Sequence, residues 1–382
     1  MNAGDVISER YRIERHVGRG GMQDVYLAYD ILLETHVALK TPQLGQPDTR
    51  FKTSAIISAR VNHHNVAKTL DYIEENGSLF LIEEYVPGDN LEKRLNIFGA
   101  IDPHLAARIF LHVSKGVAAS HHAGVVHRDL KPSNIIVESD VNLHELKLTD
   151  FGIATLTEEV FEEAARGGDI TRSTSGTIRG ALPYMAPEMM FRQPGENPGK
   201  SVDIWSLGAM MFQILTGKVP FGVYLQAAVN VQNRNREPWP GFMLANPQYK
   251  NLSLQLQAIV EKCLQYDIAD RPSADEIVEE ISELCFIGVD RELGTVSNLI
   301  QNGYSGFIDG DSGGTTFFSQ ESVYGQINRA TRSNKVCYSS FPGSPRDRAH
   351  PIIVLTKILN TFMSLLAFAC FRFGISKLLT QL

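Results

Sequence analysis

The chain has 382 residues, 43% apolar and 21% charged, which is room for a two-lobed globular domain and about 100 residues more. A net charge of −7 and a pI near 5.9 lack the strongly basic footprint of nucleic-acid binders, so no nucleic-acid partner is expected. The four cysteines (Cys263, Cys285, Cys337, Cys370) show no metal-type spacing and read as reduced intracellular thiols, and Met1 to Arg15 holds no apolar run that would read as a signal peptide.

In chain order, Tyr11 to Val17 alternates as a strand and runs into Gly18-Arg19-Gly20-Gly21-Met22-Gln23-Asp24-Val25, a glycine-rich turn with strand-like flanks. A second strand pattern carries Val37-Ala38-Leu39-Lys40. Arg50 to Asn65 reads as a helix and its following loop. Leu79 to Val86 reads as a buried strand that nevertheless carries Glu83 and Glu84. Asp102-Pro103 opens a helix, with proline at the first helical position, and Ala106, Ile109, Phe110, Val113 and Val117 recur at helical spacing as far as about His122. His121 and His122 are adjacent, so they point in different directions and read as a helix end, not as ligands. Then follow His127-Arg128-Asp129-Leu130-Lys131-Pro132-Ser133-Asn134, two short strand patterns (135–137 and 146–148), Asp150-Phe151-Gly152, Ala186-Pro187-Glu188, Ser201 to Gly208, and Arg271-Pro272-Ser273.

This series resembles the motif order of eukaryotic-like (Hanks-type) Ser/Thr protein kinases of the bacterial type. The resemblance covers residues 11–284. It implies an α+β, two-lobed fold: a β-rich lobe over 11–86, a helical lobe over 87–284, and ATP between them. By resemblance, Asp129 takes the proton of the substrate hydroxyl, and Lys131 approaches the transferred phosphoryl group. Lys40 anchors the ATP phosphates, while Asn134 and Asp150 hold Mg²⁺, or Mn²⁺ in its place. Gly18, Gly20 and Gly21 cover the phosphates. Val17, Val25, Ala38 and Ile136 wall the adenine, which meets the backbone of Glu84 and Val86. Asp203 would bind the catalytic-loop backbone, and Arg271 would pair with Glu188. The implied reaction is γ-phosphoryl transfer to Ser or Thr of protein substrates. Autophosphorylation by self-association is implied at Thr171, Ser173, Thr174, Ser175 and Thr177, with Arg128 available to a phosphate there.

Three positions depart from the family pattern. Gln23 stands where the third glycine of the loop falls, and Ala181 where a threonine usually precedes Tyr184. Ser54 stands where a helix glutamate usually pairs with the strand lysine, and residues 49–70 contain no acidic residue. Glu83 falls on a position facing the same pocket. It either replaces that glutamate as the partner of Lys40 or turns to water. A pseudokinase, a nucleotide-binding scaffold, is the rival reading raised by Ser54 and Ala181.

After 284 the resemblance stops. Residues 285–350, rich in Gly, Ser, Asn and Thr between 303 and 348, read as a flexible linker. Residues 351–382 read as an apolar C-terminal helix. The stretch 352–371 has the length of a membrane span, yet Lys357, Asn360, Thr361 and Ser364 form one polar stripe. Three fates stay open: a span, a helix on a membrane surface or partner, and packing onto the domain. Each keeps the kinase domain in the cytoplasm.

Overall fold

The computed structural model describes residues 1–19, 23–43, 48–138, 141–151, 180–192, 196 and 198–355. The first lobe is a six-stranded antiparallel sheet in the order β1-β2-β3-β4-β6-β5. Its strands are β1 (Val6–Ile7), β2 (Tyr11–Arg19), β3 (Gln23–Asp30), β4 (Thr35–Pro42), β5 (Thr69–Glu75) and β6 (Ser78–Glu84). Period-two alternation splits the sheet into two faces. Tyr11, Ile13, Tyr26, Ala28, Val37, Leu39, Phe80 and Ile82 form one apolar cluster on the first face. The second face carries Ala38, Lys40, Leu81 and Glu83 and looks toward the rest of the molecule. Helix α1 (Asp48–Ser58) lies against β5 and β6.

In the second lobe, α2 (Leu91–Phe98) leads to α3 (Pro103–His122). Asp102 caps α3 by accepting hydrogen bonds from the N–H groups of His104 and Leu105. The apolar stripe read from the sequence is buried: Ala106, Ile109, Phe110, Val113 and Val117 all line the core. β7 (Gly88–Asn90), just before α2, forms a small sheet with β8 (Ile135–Glu138) and β9 (Leu146–Leu148), which come after α3. Next come α4 (Pro187–Met190), α5 (Ser201–Thr216), α6 (Leu225–Gln232), α7 (Phe242–Ala245), α8 (Pro247–Cys263) and α9 (Ala274–Ser282). At Gly208 the α5 backbone approaches α8 so closely that an added Cβ would sit 2.6 Å from Cys263 Cβ. Ser273 and Glu276 close α9 with a reciprocal capping box.

The flexible linker expected over 285–350 is corrected: these residues fold. They build β10 (Arg291–Ile300), β11 (Ser305–Gly310), β12 (Thr315–Ser319), β13 (Val323–Tyr324), β14 (Lys335–Phe341) and β15 (Arg348–Val354). β10, β11 and β12 form an antiparallel meander, and β14 returns to the free side of β10. β15 pairs antiparallel with β14 and meets β12 in parallel at Phe317–Arg348, which closes the sheet on itself. Val296, Ile308, Phe318, Val336, Tyr338, Ile352 and Val354 fill the barrel. The glycines and serines that suggested a linker sit mostly in the tight turns and bulges of these short strands.

The expected C-terminal helix is corrected at its start, since Pro351 to Val354 belong to β15. Residues 356–382, with Lys357, Asn360, Thr361 and Ser364, lie outside the described residues. Among the described residues, no helix is long and apolar enough to cross a membrane.

The barrel is docked on the second lobe. Tyr324, Cys337, Ile353 and Leu355 belong to that lobe's own core. Arg291 at the start of β10 reaches Asp102, the cap of α3, at 2.9 Å, with both side chains buried. Tyr249 of α8 stacks on His350 and donates to Ser322 O, while the Tyr324 hydroxyl donates to Leu215 O at 3.2 Å.

Candidate active site

Two groups of charged side chains face each other between the lobes. The upper group begins with sheet register. Lys40 on β4 is paired with Leu81 on β6, and Ala38 with Glu83. Glu83 is thus the diagonal neighbour of Lys40 on one face, within reach of a long side chain. The Lys40 ammonium lies 2.5 Å from Glu83 Oε2 and 2.8 Å from Asp150 Oδ1. Burial alone would lower the Lys40 pKa, but the two carboxylates outweigh it and raise it, so the side chain stays a cation. Burial raises the Glu83 carboxyl pKa against the pull of Lys40. For Asp150 the balance runs the other way: Lys40 overcomes burial and lowers its pKa.

Ser54, on α1, makes no hydrogen bond to Lys40 among the described residues. Its hydroxyl donates to Phe151 O, as does that of Ser58, so the helix grips the backbone beside Asp150. Gln23 is also drawn in: its amide donates to Asp150 Oδ1 at 2.5 Å. Position 23 stands out in the sequence as a missing glycine, but nothing there shows that its side chain reaches a carboxylate more than a hundred residues away.

The lower group is the loop after α3. Asp129 accepts from Lys131 Nζ at 2.9 and 2.8 Å, one contact to each oxygen. The Asn134 amide donates to Asp129 O at 2.8 Å and to Asp129 Oδ2 at 2.9 Å. With the amide nitrogen so engaged, the Asn134 carbonyl oxygen is the atom left for a cation. Asp150 keeps Oδ2 clear of these bonds, because Lys40 and Gln23 both take Oδ1. An amide oxygen and a carboxylate oxygen are the hard ligands that Mg²⁺ prefers, so the residues present fit that ion.

Buried Asp203 at the start of α5 fixes the loop. It accepts from the N–H of His127 at 2.8 Å and of Arg128 at 2.7 Å, and meets His121 Nε2 at 2.8 Å. Burial opposes the Asp203 charge, but its hydrogen bonds lower the pKa and hold it as carboxylate. These bonds keep Arg128 at a φ of 63°, in the left-handed region, and Asp150 shares that value. His127 Nε2 lies 3.1 Å from Thr149 O and joins the loop to the segment between β9 and Asp150. His121 therefore serves the loop as a partner of Asp203, beyond its place at the helix end. Further down, Arg271 grips Glu188 with two bonds of 2.6 and 2.9 Å and lies over Trp205.

Val17 on β2 is exposed, while Val25, Ala38 and Ile136 are half-buried, as befits residues rimming an open cleft. Gly18 pairs with Val25, which pairs with Lys40. Glu84 gives its N–H to Lys68 O and its carboxylate to Lys147 at 2.6 Å. Val86 is buried but makes no backbone hydrogen bond among the described residues, leaving its N–H and C=O for a ligand in the cleft. Gly20, Gly21 and the hydroxyls from Thr171 to Thr177 lie outside the described residues. Ala181 is described; it is buried and brings no hydroxyl to the loop.

A family model described as "Protein kinase domain" matches residues 11–281. The chain is 34% identical over 226 residues to the serine/threonine-protein kinase PrkC of Bacillus subtilis, covering 58% of this chain and 32% of the relative. It is 32% identical over 280 residues to the serine/threonine-protein kinase pkn3 of Myxococcus xanthus, covering 72% and 49%. With pkn2 of the same organism it shares 30% identity over 286 residues, covering 72% and 32%. The chain thus spans only about a third to a half of the length of these relatives.

Proposed function

The chain belongs to the protein kinase family, and from that premise we propose that it transfers the γ-phosphoryl group of ATP to Ser or Thr hydroxyls of proteins. The observation that carries this reading is the meeting of Asp129, Lys131 and Asn134 within hydrogen-bond distance, opposite the Asp150–Lys40–Glu83 group. A pseudokinase needs none of the lower group to be so arranged.

In the reaction, the cleft rim formed by Val17, Val25, Ala38 and Ile136 takes the adenine, and the backbone of Val86 reads its edge. Lys40, held by Glu83 and Asp150, supplies positive charge to the ATP phosphates. Asp129 accepts the proton of the incoming hydroxyl as its oxygen attacks phosphorus. Lys131, already on both oxygens of that carboxylate, is placed to meet the negative charge of the moving phosphoryl group. Asn134 Oδ1 and Asp150 Oδ2 would hold Mg²⁺, with Mn²⁺ able to take the same ligands. When bound, the metal neutralises charge on the phosphates. Gln23 and Lys40 fix Asp150 from the sheet side, so α1 contributes its grip on Phe151 O in place of a glutamate. The protein substrates include a second copy of the chain, with Thr171 to Thr177 as acceptors. Any membrane contact falls to residues beyond 355, since Ile352 to Val354 are used in β15.

The test is Asp129→Asn in the full chain, assayed for ATP-dependent self-phosphorylation with Mg²⁺ and mass spectrometry of residues 152–179. General-base removal should cost about 10²–10⁴-fold in rate and leave nucleotide binding intact. Equal rates for the two proteins, or no phosphate in either, would sink the reading.

A further inference from the structure

The barrel of β10, β11, β12, β14 and β15 carries a surface that phosphoryl transfer does not use. Its connectivity is a meander of three strands, a return to the first, and a last strand that runs parallel to the third. That is the five-stranded Greek-key closure of an OB-type barrel, whose second and third strands present a face suited to extended polymers. Here those strands are β11 and β12. Ile308 and Phe318 point into the barrel core. Phe307 and Phe317 point outward, half-buried, as cross-strand partners with ring centroids 5.9 Å apart.

The row continues on both sides. Asn298 of β10 is the partner of Phe307, and Arg348 of β15 is the partner of Phe317. The Arg348 guanidinium lies 5.4 Å from the Phe317 ring, and that of Arg346 lies 5.8 Å from the Phe307 ring. Both arginines are exposed, and neither joins an ion pair among the described residues. Two outward rings next to each other are an unusual use of a solvent face, where alternation normally places polar groups. Each guanidinium rests near a ring and not on a carboxylate, so its N–H donors remain available to an anion.

We propose that this face binds single-stranded nucleic acid, with unpaired bases stacked on Phe307 and Phe317 and the sugar–phosphate chain passing Arg346 and Arg348. Stacking suits any unpaired base, because each has a π-face, and the guanidinium donors suit phosphate oxygens. A duplex does not fit, because its bases are already stacked on one another. The attraction rests on the two arginines beside the rings and not on the net charge of the barrel. Residues 291–355 alone carry six Lys and Arg against five Asp and Glu.

The experiment uses the full chain and fluorescence anisotropy with labelled RNA and DNA single strands of about 12 nucleotides, within the span that OB folds cover. Unlabelled duplex and heparin serve as competitors. Single strands should bind and duplex should compete poorly. Phe307→Ala and Phe317→Ala should each weaken binding roughly tenfold. Arg346→Gln with Arg348→Gln should weaken it and flatten its salt dependence. Phe307→Leu and Phe317→Leu keep apolar cover but remove the ring, so they separate loss of stacking from loss of folding, with thermal melting as the control. Preference between RNA and DNA identifies the natural strand, and either supports the proposal. Three results would overturn it: no binding of either strand by the wild type, heparin competing as well as the strand itself, or leucine variants that bind like the wild type. In the first case the face would instead be a contact for protein.

Discussion

Replacing Glu83 by glutamine would leave the Lys40 ammonium with Asp150 as its carboxylate partner among the described residues. Losing one member of a buried pair costs about 3 kcal/mol or more, which in a chain of this length should lower Tm by about 4 °C or more. Because Lys40 would then rest wholly on Asp150, the KM for ATP should rise about tenfold, with a smaller change in kcat. Melting curves and steady-state kinetics of Glu83→Gln test this together; an unchanged KM would show that Asp150 alone suffices to position the lysine. At this scale the sequence was legible wherever neighbours in the chain are neighbours in the site. Asp129, Lys131 and Asn134 lie within one loop, so their spacing already states their geometry. For Glu83 the sequence showed the shared pocket but left open whether the side chain meets Lys40 or turns to water; the register of β4 and β6 decides it. Gln23 was not legible, since its partner is set by how the two lobes close.

Among the elements, α3 and β15 meet at a pair of histidines. His104 on the first turn of α3 lies edge-on to His350 of β15, with ring centroids 5.9 Å apart. Burial lowers the His104 pKa and pulls the His350 imidazole down to about 4. An unfolded histidine titrates near 6.5. Between about pH 6.5 and 4 the unfolded chain therefore binds more protons, and stability falls as pH falls through that window. Replacing His350 by asparagine should flatten the slope, as read from Tm at pH 7 and pH 5; an unchanged slope would exclude this pair as its source. None of this contact could be anticipated from the chain. The strands of the barrel are only five to ten residues long, and β10 and β15 are each interrupted by an extra residue in the register. Bulges break the two-residue period on which strand detection rests. The closing contact of β12 with β15 joins residues some thirty positions apart, with β13 and β14 between them. The helices of the second lobe, by contrast, show their apolar stripes and caps locally, and α3 begins and ends where its residues say it should.

As a whole molecule the chain joins its parts below the cleft: the barrel keeps its own apolar cluster, yet Tyr324, Cys337, Ile353 and Leu355 complete the core of the kinase lobe. Burial works against the Asp102 carboxylate, yet Arg291 keeps its pKa low, so the charge pair stands across the junction. Arg291→Met would strand that carboxylate and should cost about 3–5 kcal/mol, whereas adding Asp102→Asn should recover part of the loss. A chain stopped at residue 284 loses Arg291 and uncovers Tyr249, so it should melt well below the full chain or fail to stay soluble. Differential scanning calorimetry on the four proteins tests both expectations, and a truncated chain that melts with the full one would refute the shared core. The family match ends at residue 281, but the fold does not end there. In heredity this makes the lobe and the barrel a linked pair. A kinase lobe taken from a relative would bring its own residue to the place of Asp102, and without a matching change at Arg291 the graft would carry a lone buried charge. Drift at one side of this seam is thus confined by the other, and the two parts are expected to change together or not at all.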